Sequence, residues 1–234
     1  MNAFGACRGI LCLVTDGERI AARVGAAGSA VEDLIVAQVR DAADARVELV
    51  QIREPGLDTR DLCRLVERCL DAASRRTRIV VNDRVDVAIA TGADGVHLRA
   101  DSYAAGRVRA IAPAGFIVGR SVHDPVEAGA VASAAVVDYL IAGTVFPSPS
   151  KPLGQSTSGI EGFAAVAQAA RPVPVLAIGG VTVAWAPALR AAGAAGLAAI
   201  GLFLPPEVGA EAPLADTVHR LRRAFDTPAD LSRK

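Results

Sequence analysis

The chain has 234 residues, of which 52% are hydrophobic and 21% charged, enough for a sizeable core and a solvated surface. Its formal net charge is zero, which excludes a global field that would draw in nucleic acid or an anionic membrane. Any anion must therefore be held locally.

Apolar runs recur along the chain, and each predicts a strand. GILCLVT from Gly9 ends at Thr15 and Asp16, and VELVQIR from Val47 ends at Gln51 and Arg53. DTRDLCRLVERCLDAA from Asp58 then has a helical period: Leu62, Leu65, Val66, Cys69 and Leu70 share a face, Arg64, Glu67 and Arg68 lie largely off it, and Asp58 suits the N-cap. RIVVN from Arg78 ends at Asn82 and Asp83, DGVHL from Asp94 at His97, GFIVGRS from Gly115 at Ser121 and His123, and VDYLIAG from Val137 at Gly143 and Thr144. PSPSKPLGQSTSG, residues 147–159, interrupts the rhythm and predicts a mobile active-site loop. VPVLAIGG from Val173 ends on Gly179 and Gly180, GLAAIGL from Gly196 carries Ile200 and Gly201, and the tail 227–234 is expected to fray.

Most runs are continuously apolar rather than alternating, as strands covered on both faces must be, so the sheet is parallel. Eight strand–helix units without a break in composition favour a single α/β domain, a (β/α)₈ TIM barrel spanning residues 1–234, over a doubly wound sheet. Cys7, Cys12, Cys63 and Cys69 form no C-x-x-C pair or common zinc pattern. MNAFGACRGI lacks the features of a signal peptide, and no uncharged apolar run approaches the roughly 20 residues of a membrane span. A cytoplasmic protein with no membrane or nucleic-acid partner is expected, and homo-oligomerisation stays open.

Sites in this fold form at the C-terminal strand ends, so the polar run-ends converge on one rim. The glycines of IGGVT and IGLF let backbone amides approach a ligand. Loops after the seventh and eighth strands of such barrels often hold phosphate, which makes Gly179, Gly180, Ile200 and Gly201 the expected phosphate pocket.

LCLVTD, VQIRE, VVNDRVDVAIATGADGVHL, IVGRSVH, DYLIAGTVFPSPSKP, VPVLAIGGVT and GAAGLAAIGLF, in that order and spacing, resemble the superfamily of thiamine phosphate synthases and TenI-type thiazole tautomerases. The resemblance implies the (β/α)₈ barrel and a phosphorylated thiazole as substrate. In the synthases of that family a thiazole phosphate joins a pyrimidine diphosphate with loss of pyrophosphate, assisted by Mg2+. Of their diphosphate motif, Gln51, Arg53, Asn82, Asp83 and Lys151 match, with Asp83 the implied metal ligand. Pro55 stands where a Lys belongs, Arg99 and Ala100 replace Gly-Gln, and Ser102 replaces the second Asp, with Asp101 one position early. For the synthase reading to hold, Arg99 would supply the missing charge and Asp101 would shift to take the metal.

IVGRSVH is similar to the tautomerase branch, where a histidine matching His123 moves a proton on a thiazole carboxylate phosphate. A group titrating near neutral pH can take and return that proton without a metal. The expectation is therefore a tautomerase with His123 as general acid and base and no cofactor. Gly180 and Gly201 hold the phosphate, and Thr144 and Lys151 close over it. A Mg2+-dependent synthase is the alternative, and a non-catalytic thiazole-phosphate sensor the second. His97 points inward, to bind the ring or to be a satisfied structural histidine. Ser121 orients substrate or bonds the strand end, and His219 is structural or surface.

Overall fold

The computed structural model describes residues 9–148, 156–205 and 214–226. Eight parallel strands pair in sequence order and close: β1 (Ile10–Val14), β2 (Leu49–Ile52), β3 (Arg78–Asn82), β4 (Gly95–Leu98), β5 (Ile117–Val122), β6 (Tyr139–Ala142), β7 (Val175–Ala177) and β8 (Gly196–Ala199). The closing register sets Ile10 beside Gly196 and Leu13 beside Ala199. Around the barrel lie α1 (Gly17–Val24), α2 (Ser29–Asp44), α3 (Thr59–Ala73), α4 (Val85–Thr91), α5 (Ala105–Ile111), α6 (Pro125–Ser133), α7 (Gly159–Ala169), α8 (Ala186–Ala191) and α9 (Leu214–Asp226). The predicted barrel and all eight predicted strands are present. The predicted mobile loop lies largely outside the described residues, and so do Lys151, Cys7 and the tail 227–234.

Side chains alternate between the barrel interior and the helix layer, as a strand requires. Ile10, Cys12, Val14, Leu49, Val80, Ile117, Tyr139, Ile141, Leu176 and Ala198 fill the interior. The opposite faces, with Leu11, Leu13, Val50, Ile79 and Val81 among them, pack against the helices in a second apolar layer. This is why the runs read as continuously apolar. On α3, Leu62, Leu65, Val66 and Cys69 are buried, and Asp58 caps it by accepting a hydrogen bond from Asp61 N at 2.8 Å. Burial pushes the Cys12 and Cys69 thiols up, as expected of cysteines that serve as small core residues.

Carboxylates brace the N-terminal end of the barrel. Glu48 precedes β2 and accepts from Leu11 N of β1 at 2.9 Å; Asp94 precedes β4 and accepts from Ile79 N of β3 at 2.8 Å; Asp138 precedes β6 and accepts from Val118 N of β5 at 2.8 Å. Each also holds an arginine: Arg222, Arg78 and Arg109 respectively. The other end of the barrel is left for the site.

Candidate active site

The inward parity of β2 to β5 carries polar side chains to the C-terminal mouth, where they form a floor. Gln51 Nε2 donates to Asn82 Oδ1 at 2.8 Å. His97 Nε2 lies 2.9 Å from Ser121 Oγ, and its Nδ1 lies 3.0 Å from the Tyr139 hydroxyl. The imidazole is only 2% exposed. Burial, reinforced by the positive charge of Arg120, lowers its pKa to about 3, so at neutral pH it is an uncharged ring with both nitrogens engaged. Of the two readings of His97, the satisfied one describes this geometry, with Ser121 as the link towards the mouth. Tyr139 was missed in the sequence. Its signal was a tyrosine at an inward position of an otherwise apolar run, and such a hydroxyl requires a buried partner.

Arg53, half-buried, follows β2. Its N–H donates to Thr15 Oγ1 at 2.9 Å, and that hydroxyl donates to Glu54 Oε1 at 2.6 Å. Glu54 Oε2 accepts from Gly17 N at 3.0 Å, and burial raises this carboxyl's pKa. The Thr15–Glu54 pair thereby fixes both the Arg53 backbone and the start of α1. From α1, the Arg19 guanidinium reaches Gly201: a Cβ built on that glycine would lie 3.7 Å from Arg19 Nη2. Arg19 was also missed, because nothing in its helix announces which strand end it overhangs.

The glycine turns meet the loop after β6. Gly179 and Gly180 have φ of +95° and +61°, in the left-handed region that glycine enters without strain. A Cβ on Gly179 would lie 2.6 Å from Thr144 Cγ2, and one on Gly180 would lie 2.4 Å from Pro147 O. Phe146 N donates to Gly179 O at 3.0 Å, and the Phe146 ring stacks on Trp185 with centroids 4.4 Å apart. Thr144, Gly179 and Gly180 therefore come together as predicted. Gly201 opens a short 3₁₀ turn, Gly201–Phe203, with Ile200 preceding it.

Asp83 follows Asn82 with φ of +58°, its N–H donating to His97 O at 2.8 Å. Both of its carboxylate oxygens are engaged: Ser102 Oγ donates to Oδ1, and Arg99 Nε lies 3.3 Å from Oδ2. Asp101 pairs with Arg99 through Nε at 3.0 Å and Nη2 at 3.2 Å, rather than turning towards Asp83. Magnesium needs several oxygens in octahedral array. Ser102 brings no carboxylate, a guanidinium already occupies the carboxylate that is present, and among the described residues no three His, Cys, Asp or Glu side chains converge. The residues of this corner do not fit Mg2+.

His123 stands just past β5, its side chain 61% exposed and Nδ1 3.7 Å from Glu127 Oε2. Its backbone N–H donates to the same oxygen at 2.8 Å. The ring is separate from the buried His97 network.

The sequence pattern of the family described as thiamine monophosphate synthase matches residues 11–203. The chain belongs to this family. It is 35% identical to a thiamine-phosphate synthase of Roseiflexus castenholzii over 92% of this chain and 87% of that one. It is 33% identical to one of Chlorobium luteolum over 87% of this chain and 89% of that one. Among solved structures it is similar to a thiamine phosphate pyrophosphorylase from Pyrococcus furiosus, with TM-score 0.73, 28% identity and 96% of each chain covered. A 3-hexulose-6-phosphate synthase, with TM-score 0.65 and 20% identity, shares the fold. No helix of this thiamine monophosphate synthase family member, among the described residues, is long and apolar enough to cross a membrane.

Proposed function

We propose that the chain joins a phosphorylated thiazole to a pyrimidine diphosphate and releases pyrophosphate. The relatives' names favour this reading over the tautomerase expected from the His123 motif. The observation that carries it is the two-sided mouth. In a closed barrel of eight strands β3 lies across from β7. The Gly179, Gly180 and Gly201 turns, with Arg19, suit a monophosphate on one side, and Arg53 and Arg99 suit a second anion on the other. Between them Gln51, Asn82 and Ser121 present hydrogen-bonding groups to heteroaromatic rings. Held so, the two halves react with little further loss of freedom: a bond to the thiazole forms as the bond to the diphosphate breaks, and the guanidinium charges stabilise the departing pyrophosphate. The reading places the chain in the cytoplasm, acting on small molecules. Purified protein given both halves should yield thiamine phosphate, and Arg53→Ala should lower the rate at least tenfold. No product from the intact protein would refute the reading.

His123 supports a second reading, proton transfer on a thiazole carboxylate phosphate. Its exposed ring beside Glu127 can take and return a proton, and this chemistry asks nothing of Asp83. Here His123→Ala should abolish isomerisation while leaving phosphate binding intact. Ligand binding with neither turnover would indicate a sensor.

A further inference from the structure

We propose that the β3–β4 corner of the mouth operates without a divalent cation, the Arg99 guanidinium providing there the positive charge that receives an anionic phosphate or diphosphate oxygen. The inference rests on the proposed transferase only for the identity of that anion.

The corner is built as a unit. Arg120 of β5 reaches across to the segment after β4: Nη2 donates to Ala100 O at 2.6 Å and to Ser102 O at 3.2 Å, and Nη1 donates to Tyr103 O at 3.0 Å. These bonds hold residues 100–103 over the end of β3. Within the segment, Arg99 N donates to Ser102 Oγ at 3.1 Å and Ser102 N donates to Arg99 O at 3.2 Å, a tight turn that aims both side chains at Asp83. Ser102 donates to one Asp83 oxygen and Arg99 lies against the other. Arg99 Nε is shared by Asp83 Oδ2 and Asp101 Oδ1, so a cation approaching Asp83 would have to displace a guanidinium that already lies between the two carboxylates. The guanidinium has donors beyond those pointed at the two carboxylates, and at 59% side-chain exposure it stays open to an incoming anion.

Manganese titration followed by electron paramagnetic resonance tests the metal half without any substrate. The intact protein should leave the Mn2+ signal free, whereas Arg99→Gly combined with Ser102→Asp should take up the ion at the reopened carboxylate pair. Uptake by the intact protein that disappears in Asp83→Asn would overturn the proposal, as would failure of the folded double variant to gain uptake. Calorimetry with inorganic pyrophosphate in EDTA tests the charge half. Arg99→Ala should weaken binding about tenfold or more, with thermal melts confirming the fold, and unchanged affinity would overturn the role of Arg99. A failed synthase assay removes the transferase reading and leaves the manganese result standing. Metal uptake removes this inference and leaves the transferase reading standing.

Discussion

At the scale of single residues, His97 is the most constrained group of the site. Its pKa falls to about 3 in the fold, against about 6.5 for a free histidine, so between those values the unfolded chain binds a proton that the folded one refuses. The His97 contribution to stability is therefore fully present above about pH 6.5 and is lost as pH falls, by about 1.4 kcal/mol per pH unit. Glu54, whose pKa is raised, acts in the opposite sense and becomes less unfavourable as it protonates. Denaturant melts of the intact protein and His97→Gln from pH 7 to pH 4.5 separate the two, since only the His97 contribution differs. The variant should show the shallower loss, and parallel curves would refute the assignment. Tyr139→Phe leaves Nδ1 without its partner and should cost about 1–3 kcal/mol, the desolvation of an unpaired buried group. It should also move the His97 ring-nitrogen resonances, which a purely steric role for the hydroxyl would leave in place. The inward position of His97 was legible from strand parity. Its bond to Tyr139 was not, because it spans β4 to β6 past β5 and exists only where β5 lacks a side chain.

That gap is Gly119, and it introduces the scale of elements. A Cβ on Gly119 would lie 2.1 Å from Tyr139 Cζ, so the tyrosine ring fits the barrel only because β5 carries glycine at this register. Gly119→Ala should destabilise by about 1–3 kcal/mol through overpacking, and Tyr139→Ala in the same chain should recover part of the loss, a coupling that a double-mutant cycle measures. Additive losses would refute the pairing. Strands, parity and the Asp58 cap could be read locally, because each depends on residues within one turn or one run. The bracing carboxylates could not, since each lies next to its own strand and acts on the preceding one. Arg120 shows the same limit: in the motif it neighbours the candidate base, whereas in the fold it is a strut under residues 100–103. The missing carboxylate at Ser102 was legible in the sequence, but Arg99's hold on Asp83 required the turn.

For the whole molecule the question is whether the mouth melts with the barrel. The apolar layer between strands and helices is continuous from Leu11 on β1 to Phe225 on α9, and β8 closes on β1 so tightly that a Cβ on Gly196 would lie 1.9 Å from Ile10 O. A closed sheet has no edge from which to peel, and its strands should be lost together. The chain's single tryptophan, Trp185, sits on the mouth stacked against Phe146, so its emission follows the rim while far-ultraviolet circular dichroism follows the helices. Guanidinium melts by the two probes should superimpose, and a tryptophan transition at lower denaturant would show instead a mouth that opens on its own. Thiazole phosphate should shift both curves together. A ligand held at a hundred times its Kd adds about 2.7 kcal/mol to the fold that binds it. If the glycine turns bind the phosphate, Gly180→Ala should abolish that shift, because its left-handed φ and the 2.4 Å approach to Pro147 O leave no room for the added methyl. A full ligand shift in Gly180→Ala would move the phosphate elsewhere on the rim.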